Sequence, residues 1–393
     1  MPWKSKSKEE QRFDLVRQMQ VGEVSVSELC KRWRISRVTA YKWLKRYQTE
    51  KLAGLKDRKR RPRQIAGKTS RVWLNRIRRW RRKHKTWGAR KLEHCLKKQF
   101  GKRECPSVAT ISRWLKRWGL ARGRRRVKAG PVVLRADLRP ARFCNDVWTV
   151  DFKGSFKTGD GARVDPLTVR DLYSRYGLRI ALLPDLSVKE AKREFAKIFK
   201  QYGLPKRIRS DNGVPFGAGG PSGLTRLSAW WIKLGIQVQF ITPARPCENG
   251  AHEQFHRVYK REVAKPPAKN RNGQQQRSNR WLRSYNRERP HESLKMRVPV
   301  EFYRKSKRRL PACIKPWRYP TQWMRRWVKG NGQINWKGKR RFIGEAFVND
   351  YVGMKPVRQG IWKVYFGPVL IGELHENESG VIRPAKYPRK RSL

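Results

Sequence analysis

The stretch NDVWTVDFKGSF, residues 145–156, marks the point at which the chain changes from helical to strand-like patterning. Its residues alternate around Val147, Thr149 and Asp151, which is the period of a half-buried strand. Further strand candidates follow at VDPLTVRDLYS, YGLRIALLP, KRIRSDNG and QVQFIT, and a capping box of Ser187 and Glu190 opens a helix among them. This succession of strands and helices predicts an α/β sheet domain.

The amino-acid composition indicates which class of molecule the chain binds. The 393 residues include 97 Lys and Arg against 30 Asp and Glu, a formal charge of +67. A surface of that charge repels itself unless it meets a polyanion. With 38% hydrophobic residues, including 17 Trp, the chain is too apolar for wholesale disorder. There is no run of about 18 apolar residues and no apolar leader, so we expect neither membrane insertion nor secretion, and nucleic acid is the remaining large polyanion.

Two helical segments precede the strands. SVSELCKRWRISRVTAYKWLKRY at 25–47 reads as two helices around a tight turn, capped by Ser25 with Glu28 and by Ser36. This predicts a helix-turn-helix, with an ordinary amphipathic hairpin as the alternative. The outward face of its second helix offers candidate DNA contacts at Arg37, Tyr41, Lys42 and Lys45.

A second module of the same kind begins near Ser70. Its last helix, in PSVATISRWLKRWGL at 106–120, has Ser107 as a plausible cap and places the candidate DNA contacts Thr110, Arg113 and Arg117 outward. A dense run of Arg and Lys follows, which we interpret as a linker that also touches phosphates, although a solvated linker would show the same composition. Short strands broken by glycine predict a small β-barrel near the C-terminus, whose tryptophans could bind DNA or a partner but are more often core.

Three acids carry the candidate chemistry: Asp151 in the first strand, Asp211 after the fourth, and Glu253 in the first turn of a helix. Strand ends and helix starts along one sheet edge can converge, and converged carboxylates repel unless cations lie between them. Oxygen-only ligands call for two Mg²⁺ or Mn²⁺ ions, which support phosphoryl transfer at a phosphodiester. Arg257 and Lys260 follow Glu253 at i+4 and i+7 as candidate DNA contacts, and we expect His256 to share that face.

His252, Glu253 and His256 also spell H-E-x-x-H, the zinc peptidase pattern. That alternative explains neither Asp151 nor Asp211 nor the charge, and it would place His252 in the first turn of its helix. Glu248 is a rival for the third acid, but it precedes the helix. The six cysteines contain no C-x-x-C pair, so structural zinc is not expected.

The sequence motifs around the acids resemble those of a known family. VWTVDF, RSDNGVPF, TPARPCENGAHEQFHRVYKRE and SYNRERPHESL look like successive core motifs of the DDE transposases and integrases, and are most similar to those of bacterial insertion-sequence transposases. The resemblance implies an RNase H-like core, a mixed five-stranded sheet with flanking helices, in which Asp151, Asp211 and Glu253 are the catalytic metal ligands. It implies structural roles for Asn212, Gly213, Asn249, Gly250, Pro290 and His291, and a flexible loop in GAGGPSG at 217–223 that accounts for an unusually long spacing between the second and third acids.

We therefore expect a bacterial transposase that binds the terminal inverted repeats of an insertion element, cleaves 3′ ends and transfers them into target DNA, as at least a dimer associated with the nucleoid. A DNA-binding repressor with an inactive core is the alternative. The predicted divisions are a helix-turn-helix at 1–56, a second at 66–122, a basic linker at 123–143, the catalytic core at 144–306, the small β-barrel at 316–384 and a basic tail at 385–393.

Overall fold

The computed structural model describes residues 6–58, 69–101, 105–121, 138, 140–242 and 246–385, with only the backbone at 246 and 247. The predicted basic linker at 123–143 lies largely outside these residues, and the basic tail at 385–393 almost wholly outside them. The chain divides into two compact units, Met1–Thr69 and Ser70–Leu393, which are described separately.

The first unit holds three helices, with bounds α1 (Lys8–Val21), α2 (Val26–Trp33) and α3 (Arg37–Glu50). Ser25 and Ser36 cap α2 and α3 through their side-chain oxygens, as the sequence predicted. The turn between them bends at Arg34, whose φ of 51° lies in the left-handed region that glycine usually occupies. Helices α1 and α3 pack through a small core that includes Leu15, Val16 and Trp43, so the helix-turn-helix prediction is confirmed.

The second unit begins with another three-helix module: α4 (Arg71–Lys83), α5 (Ala89–Phe100) and α6 (Val108–Arg117). Ser70 and Ser107 supply the side-chain caps of α4 and α6. The core of the module consists of seven buried apolar residues, Trp73, Ile77, Trp87, Leu92, Leu96, Ile111 and Leu115. Ile111 and Leu115 belong to the predicted inward stripe of α6, which leaves its cationic face outward.

The central sheet uses strands β1 (Val147–Phe152), β2 (Phe156–Lys157), β3 (Arg163–Asp171), β4 (Gly177–Leu183), β5 (Arg207–Ser210) and β6 (Gln237–Phe240). Five of them lie in the order β4-β3-β1-β5-β6, and the short β2 pairs with one end of β3. Pairing is antiparallel from β4 to β1 and parallel from β1 to β6. This is the mixed five-stranded sheet predicted for an RNase H-like core.

Helices cover both faces of the sheet: α7 (Val188–Tyr202), α8 (Arg226–Lys233), α9 (Gly250–Tyr259), α10 (Arg271–Arg287) and the short α11 (Pro299–Phe302). Trp148 of β1 packs in the core cluster that holds Phe195 of α7 and Trp231 of α8. Successive strand residues point to opposite faces, so Thr149 and Asp151 face the side on which α9 packs against β1. The register of one strand therefore decides which side chains meet α9.

The C-terminal part consists of strands: β7 (Met324–Trp327), β8 (Gln333–Trp336), β9 (Lys339–Phe342), β10 (Tyr351–Arg358), β11 (Ile361–Phe366), β12 (Val369–His375), β13 (Gly380–Val381) and β14 (Arg383–Pro384). Their ladders make a five-stranded and a three-stranded sheet around one apolar core, which also takes in Ala229 and Ile232 of α8. The β-rich region is as expected, while its closure into a barrel stays a prediction. None of the described helices is both long and apolar enough to cross a bilayer.

Candidate active site

Two of the three predicted acids lie at one edge of the central sheet. β1 and β5 are parallel neighbours, and Thr149 pairs with Arg209 in their register. Asp151 and Asp211 each follow two residues later, so the two carboxylates leave adjacent chains at the same level. Parallel strands lie about 4.8 Å apart, which puts these side chains within mutual electrostatic reach.

The third acid, Glu253, is exposed in the first turn of α9, which begins at Gly250 directly after Asn249. The helix start predicted from the N-G-x-x-E spacing is therefore confirmed. The rival acid Glu248 has another partner, because its Oε2 accepts the backbone N–H of Thr242 at 2.8 Å. Glu248 thus ties down the end of the segment that follows β6.

The three carboxylates act on one another electrostatically. The pKa of Asp151 is raised from its ordinary 3.8 to about 7, first by burial, then by the negative charge of Asp211, with a smaller contribution from Glu253. Burial also raises the pKa of Asp211, opposed by a hydrogen bond from the N–H of Gly213. A buried carboxylate whose pKa is raised further by neighbouring carboxylates is the behaviour expected of acids that share cations.

The turn after β5 is braced by its neighbours. Asn212 donates from its amide nitrogen to the carbonyl of Ile241 at 2.7 Å, and the Gly213 N–H donates to Oδ1 of Asp211 at 3.3 Å. The glycine-rich segment 217–223 then closes on itself through a β-bridge between Gly217 and Leu224. The extra length between the second and third acids is therefore a closed turn set beside α8.

A buried hydrogen-bond network lies behind Asp151. The hydroxyl of Thr168, on the neighbouring strand β3, donates to the Asp151 carbonyl at 2.9 Å and lies 2.6 Å from Nε2 of both His252 and His256. Nδ1 of His252 lies 2.8 Å from the Thr149 hydroxyl, and Nδ1 of His256 lies 3.6 Å from the Asp151 carboxylate. The expectation that His256 shares the outer face of Glu253 was wrong, since His256 faces the sheet.

The same geometry bears on the zinc peptidase alternative. Among the described residues, one group of possible ligands brings Asp151, His252 and His256 within 4.8 Å of one another. However, His252 is fully buried with both ring nitrogens against threonine hydroxyls, while Glu253, the base of the peptidase pattern, is exposed. Burial also lowers the pKa of both histidines, so they remain neutral hydrogen-bonding groups. The arrangement favours the N-G-x-x-E interpretation.

Cations surround the acids. Arg257 of α9 and Lys260, which directly follows α9, are exposed, as is Glu253, with which their spacing aligns them. Lys153, which the sequence interpretation missed, lies two residues after Asp151, directly past the end of β1. Its pKa is lowered by burial and by the positive charge of Lys260, and Asp151 partly offsets this. The period of the strand was the signal that could have identified it.

Most of the predicted DNA-contact residues of the two helical modules are exposed to solvent. Arg37, Tyr41, Lys42 and Lys45 are exposed on α3, where Val38 is also 79% exposed. Arg113 and Arg117 are exposed on α6. Thr110 differs, because it is half-buried and its hydroxyl lies 3.1 Å from the Ser107 cap oxygen. We conclude that Thr110 serves the start of its helix as well as any partner.

The second helical module docks onto the core beside the catalytic-helix candidate α9. Helix α9 continues into one π-helical turn, Lys260–Ala264, which presents Glu262. The Glu262 carboxylate accepts a hydrogen bond from the Thr86 hydroxyl and another from the Trp281 indole, the latter at 2.6 Å, and lies 3.6 Å from Arg289. Arg289 in turn donates to the Thr86 hydroxyl at 3.0 Å. This Glu262 junction holds the module against α9 and α10.

Family models match four parts of the chain. A helix-turn-helix domain matches residues 11–63 and a homeodomain-like domain 39–115. An integrase core domain matches 234–299, and the C-terminal domain of IS481 family transposases matches 323–379. The integrase core match covers α9 and the segment that carries Glu253.

Two similar proteins come from insertion elements. The chain is 27% identical over 193 residues to an uncharacterized 31.7 kDa protein of insertion element IS407 from Burkholderia multivorans, covering 49% of this chain and 67% of that protein. It is 28% identical over 226 residues to an uncharacterized 39.2 kDa protein of element IS476 from Xanthomonas euvesicatoria, covering 56% and 61%. The second match thus spans less than two thirds of its relative.

Solved structures with similar parts are retroviral integrases. The HTLV-2 integrase catalytic core in complex with magnesium aligns at a TM-score of 0.34 with 14% identity, covering 42% of this chain and 99% of that one. The catalytic core of BIV integrase aligns at 0.32 with 19% identity, covering 40% and 93%. A simian T-cell lymphotropic virus intasome in complex with the regulatory subunit B56 gamma aligns at 0.36 with 14% identity, covering 80% and 100%.

Proposed function

We propose that the chain is an insertion-element transposase, in which helix-turn-helix modules are joined to an integrase-type core, and that it cleaves and transfers the DNA ends of its own element. In this proposal the strand is hydrolysed at the 3′ end of each terminal inverted repeat. The freed 3′-hydroxyl then attacks a phosphodiester of target DNA at the same site. The observation that carries the proposal is the placement of Asp151 and Asp211 on adjacent parallel chains, with burial first, then Asp211 and, more weakly, Glu253 raising the pKa of Asp151.

The donor chemistry of these acids suits Mg²⁺ or Mn²⁺. All three offer carboxylate oxygens, which hard divalent ions prefer, and the mutual repulsion of the carboxylates is relieved when cations lie between them. Asp151, Asp211 and Glu253 would hold two such ions. When bound, the ions would supply activation of the attacking water or hydroxyl and stabilisation of the leaving oxygen.

Other side chains of the core position the acids and the DNA. Thr168, which lies against His252 and His256, fixes the backbone of Asp151, and His256 lies 3.6 Å from the Asp151 carboxylate. Arg257 and Lys260 give the approaching phosphates a cationic surface along α9. Their role is electrostatic, since a polyanion must come close to three carboxylates.

Recognition of the repeats is assigned to the two helical modules, residues 1–56 and 66–122. Arg37, Tyr41, Lys42 and Lys45 of α3 are placed to enter a major groove, and Arg113 and Arg117 of α6 offer a second contact face. Two linked modules raise the effective concentration of each at its own part of the site. The basic linker at 123–143 would add phosphate contacts between recognition and catalysis.

Transposition joins two ends of one element, so the active assembly holds at least two copies of the chain. Each copy would bring one terminal repeat to an acidic site. We propose that the working partner is double-stranded DNA, both repeat and target, and that the protein acts on the bacterial nucleoid.

The test is strand cleavage by the purified full chain, with a labelled duplex that carries the element's terminal repeat and Mg²⁺. We expect a single nick at the 3′ end with the wild type. Asp151→Asn, Asp211→Asn and Glu253→Gln should each lose cleavage while they retain repeat binding, and Asp185→Asn is the control because Asp185 is exposed far along the chain from the acids. Wild-type protein that binds the repeat but never nicks it would instead indicate a repressor.

A further inference from the structure

A second charged site lies between the docked helical module and the core, and none of the three acids lines it. It is a cavity of about 140 Å³ lined by residues of the module, β3, the turn after β3, α9 and the segment that follows α10. Four cationic side chains line it: Lys91, Arg170, Arg175 and Arg289. At ~30 Å³ per water, the cavity has room for about five waters. It is therefore large enough for one small polar group.

The cations are poorly neutralised. Arg289 lies 3.6 Å from Glu262. Within the described residues, Lys91, Arg170 and Arg175 have no ion pair within 4.0 Å. Glu292 and Glu262 act on Lys91 from a greater distance, yet burial and Arg289 still lower the pKa of Lys91 to about 8. Burying like charges together is costly unless an opposite charge meets them.

One of the four side chains is almost fully buried and has unused hydrogen-bonding capacity. Arg170 is 3% exposed, and it donates from Nη1 to the carbonyl of Ala251, where α9 begins. Its Nε is buried and has no hydrogen-bond partner among the described residues. A guanidinium presents several donors in a fixed fork that matches an oxyanion. A buried donor without a partner is uncommon in folded proteins and calls for an explanation.

The pKa of the neighbouring His291 responds to the same four cations. Its pKa is lowered to about 2, first by burial and then by Lys91, Arg289, Arg170 and Arg175. Nε2 of His291 is also buried with no hydrogen-bond partner in the described part of the chain. All four cations therefore act on one small region, which residues of α9 also line.

We infer that this cavity, the Arg170 site, binds a phosphate-type oxyanion. Arg170 and Arg175 supply fork-like donors, Lys91 supplies a point charge from the helical module, and the tetrahedral oxygens of the ligand satisfy several donors at once. Because the ligand would touch both the docked module and the N-terminal end of α9, its binding stabilises the docked arrangement. The oxyanion has two possible sources, a backbone phosphate of bound DNA or free phosphate.

The first experiment titrates inorganic phosphate into the full chain without DNA, at constant ionic strength made up with chloride, and follows ³¹P NMR line width and thermal unfolding. We expect saturable binding by the wild type. Arg175→Gln and Lys91→Gln should weaken it at least about tenfold, which is the loss of one charge-assisted hydrogen bond. Arg175→Lys should recover part of the affinity. These positions are half-buried, and circular dichroism of each variant confirms its folding.

Matched controls separate a site from general attraction to a chain of this charge. Arg358→Gln and Lys189→Gln remove the same charges at exposed positions elsewhere and should leave phosphate binding unchanged. Equal weakening by the control and cavity variants would overturn the inference.

The second experiment rests on the proposed function and replaces single phosphates of the terminal-repeat duplex with neutral methylphosphonates. If a DNA phosphate occupies the Arg170 site, one replacement weakens binding by the wild type but not by Arg175→Gln. The expected result in either experiment alone supports the site and identifies the source of the oxyanion, DNA in one case and free phosphate in the other. Failure of both overturns it. The phosphate titration does not depend on DNA cleavage, so the two proposals fail separately.

Discussion

Removal of the Asp151 carboxylate is expected to stabilise the metal-free protein at alkaline pH. The pKa of Asp151 rises from 3.8 to about 7 on folding, so the folded state holds its proton more tightly than the unfolded state. Below pH 3.8 the carboxyl group is protonated in both states, so its ionisation does not change the free energy of unfolding. As the pH rises from 3.8 to 7 the free energy of unfolding falls, and above pH 7 it has fallen by the full amount.

The magnitude follows from the same pKa values. A displacement from 3.8 to about 7 corresponds to at most ~4 kcal/mol. The Asp151 side chain is 24% exposed, so solvent screening reduces that ceiling. We expect Asp151→Asn to raise the free energy of unfolding at pH 8 by about 1–2 kcal/mol, which moves the transition of a core of this size by roughly 2–8 °C.

The assay is thermal unfolding in EDTA, at pH 8 and pH 4, for wild type and variant. Asp160→Asn is the control, because a hydrogen bond from Thr158 lowers the pKa of that exposed acid and its replacement should give no stabilisation. Added Mg²⁺ should stabilise the wild type and not Asp151→Asn. An Asp151→Asn variant that is no more stable than wild type at pH 8, or that is stabilised equally at pH 4, would contradict this prediction.

Three further predictions concern the surroundings of the acids and the DNA contacts. Thr168→Val removes the hydroxyl that contacts the Asp151 carbonyl and two imidazoles, so the free energy of unfolding, measured by urea denaturation, should fall by about 2 kcal/mol. Mg²⁺ affinity, measured by calorimetry, should also fall. Unchanged affinity would contradict the positioning role of Thr168. Lys42→Gln should reduce the slope of log affinity for the repeat against log salt by about 1, as measured by fluorescence anisotropy, and an unaltered slope would remove Lys42 from the interface. Glu262→Gln keeps the shape of the junction but loses its charge, so hydrogen exchange at α5 should quicken; unaltered exchange would show that the contact with Arg289 does not hold the module.

Local sequence signals predicted the elements that local chemistry determines. Serine caps at Ser36, Ser107 and Ser187 start helices where expected, because a side-chain oxygen at that position satisfies the first free N–H groups. The alternation in 145–156 predicted β1. In β10, Gly353 and Pro356 interrupt the alternation typical of a strand, and Pro356 lies beside a bulge in the ladder with β11.

Features that join distant parts of the chain could not be read from spacing. The sequence predicted three acids at one sheet edge, and their assignment as catalytic residues stays a proposal. His252 and Thr168 lie 84 positions apart, and their contact depends on the register of β1 against β3. The docking of the helical module depends in the same way on Thr86 and Glu262, which are 176 positions apart. No periodicity within a segment carries such information.

The most direct test of the central claim is a count of the divalent ions bound by the full chain, made with Mn²⁺ titration and electron paramagnetic resonance. We expect two ions per wild-type chain, with loss of that binding in Asp211→Asn and Glu253→Gln and retention in Glu248→Gln. Tight Mn²⁺ binding that survives both Asp211→Asn and Glu253→Gln would contradict it.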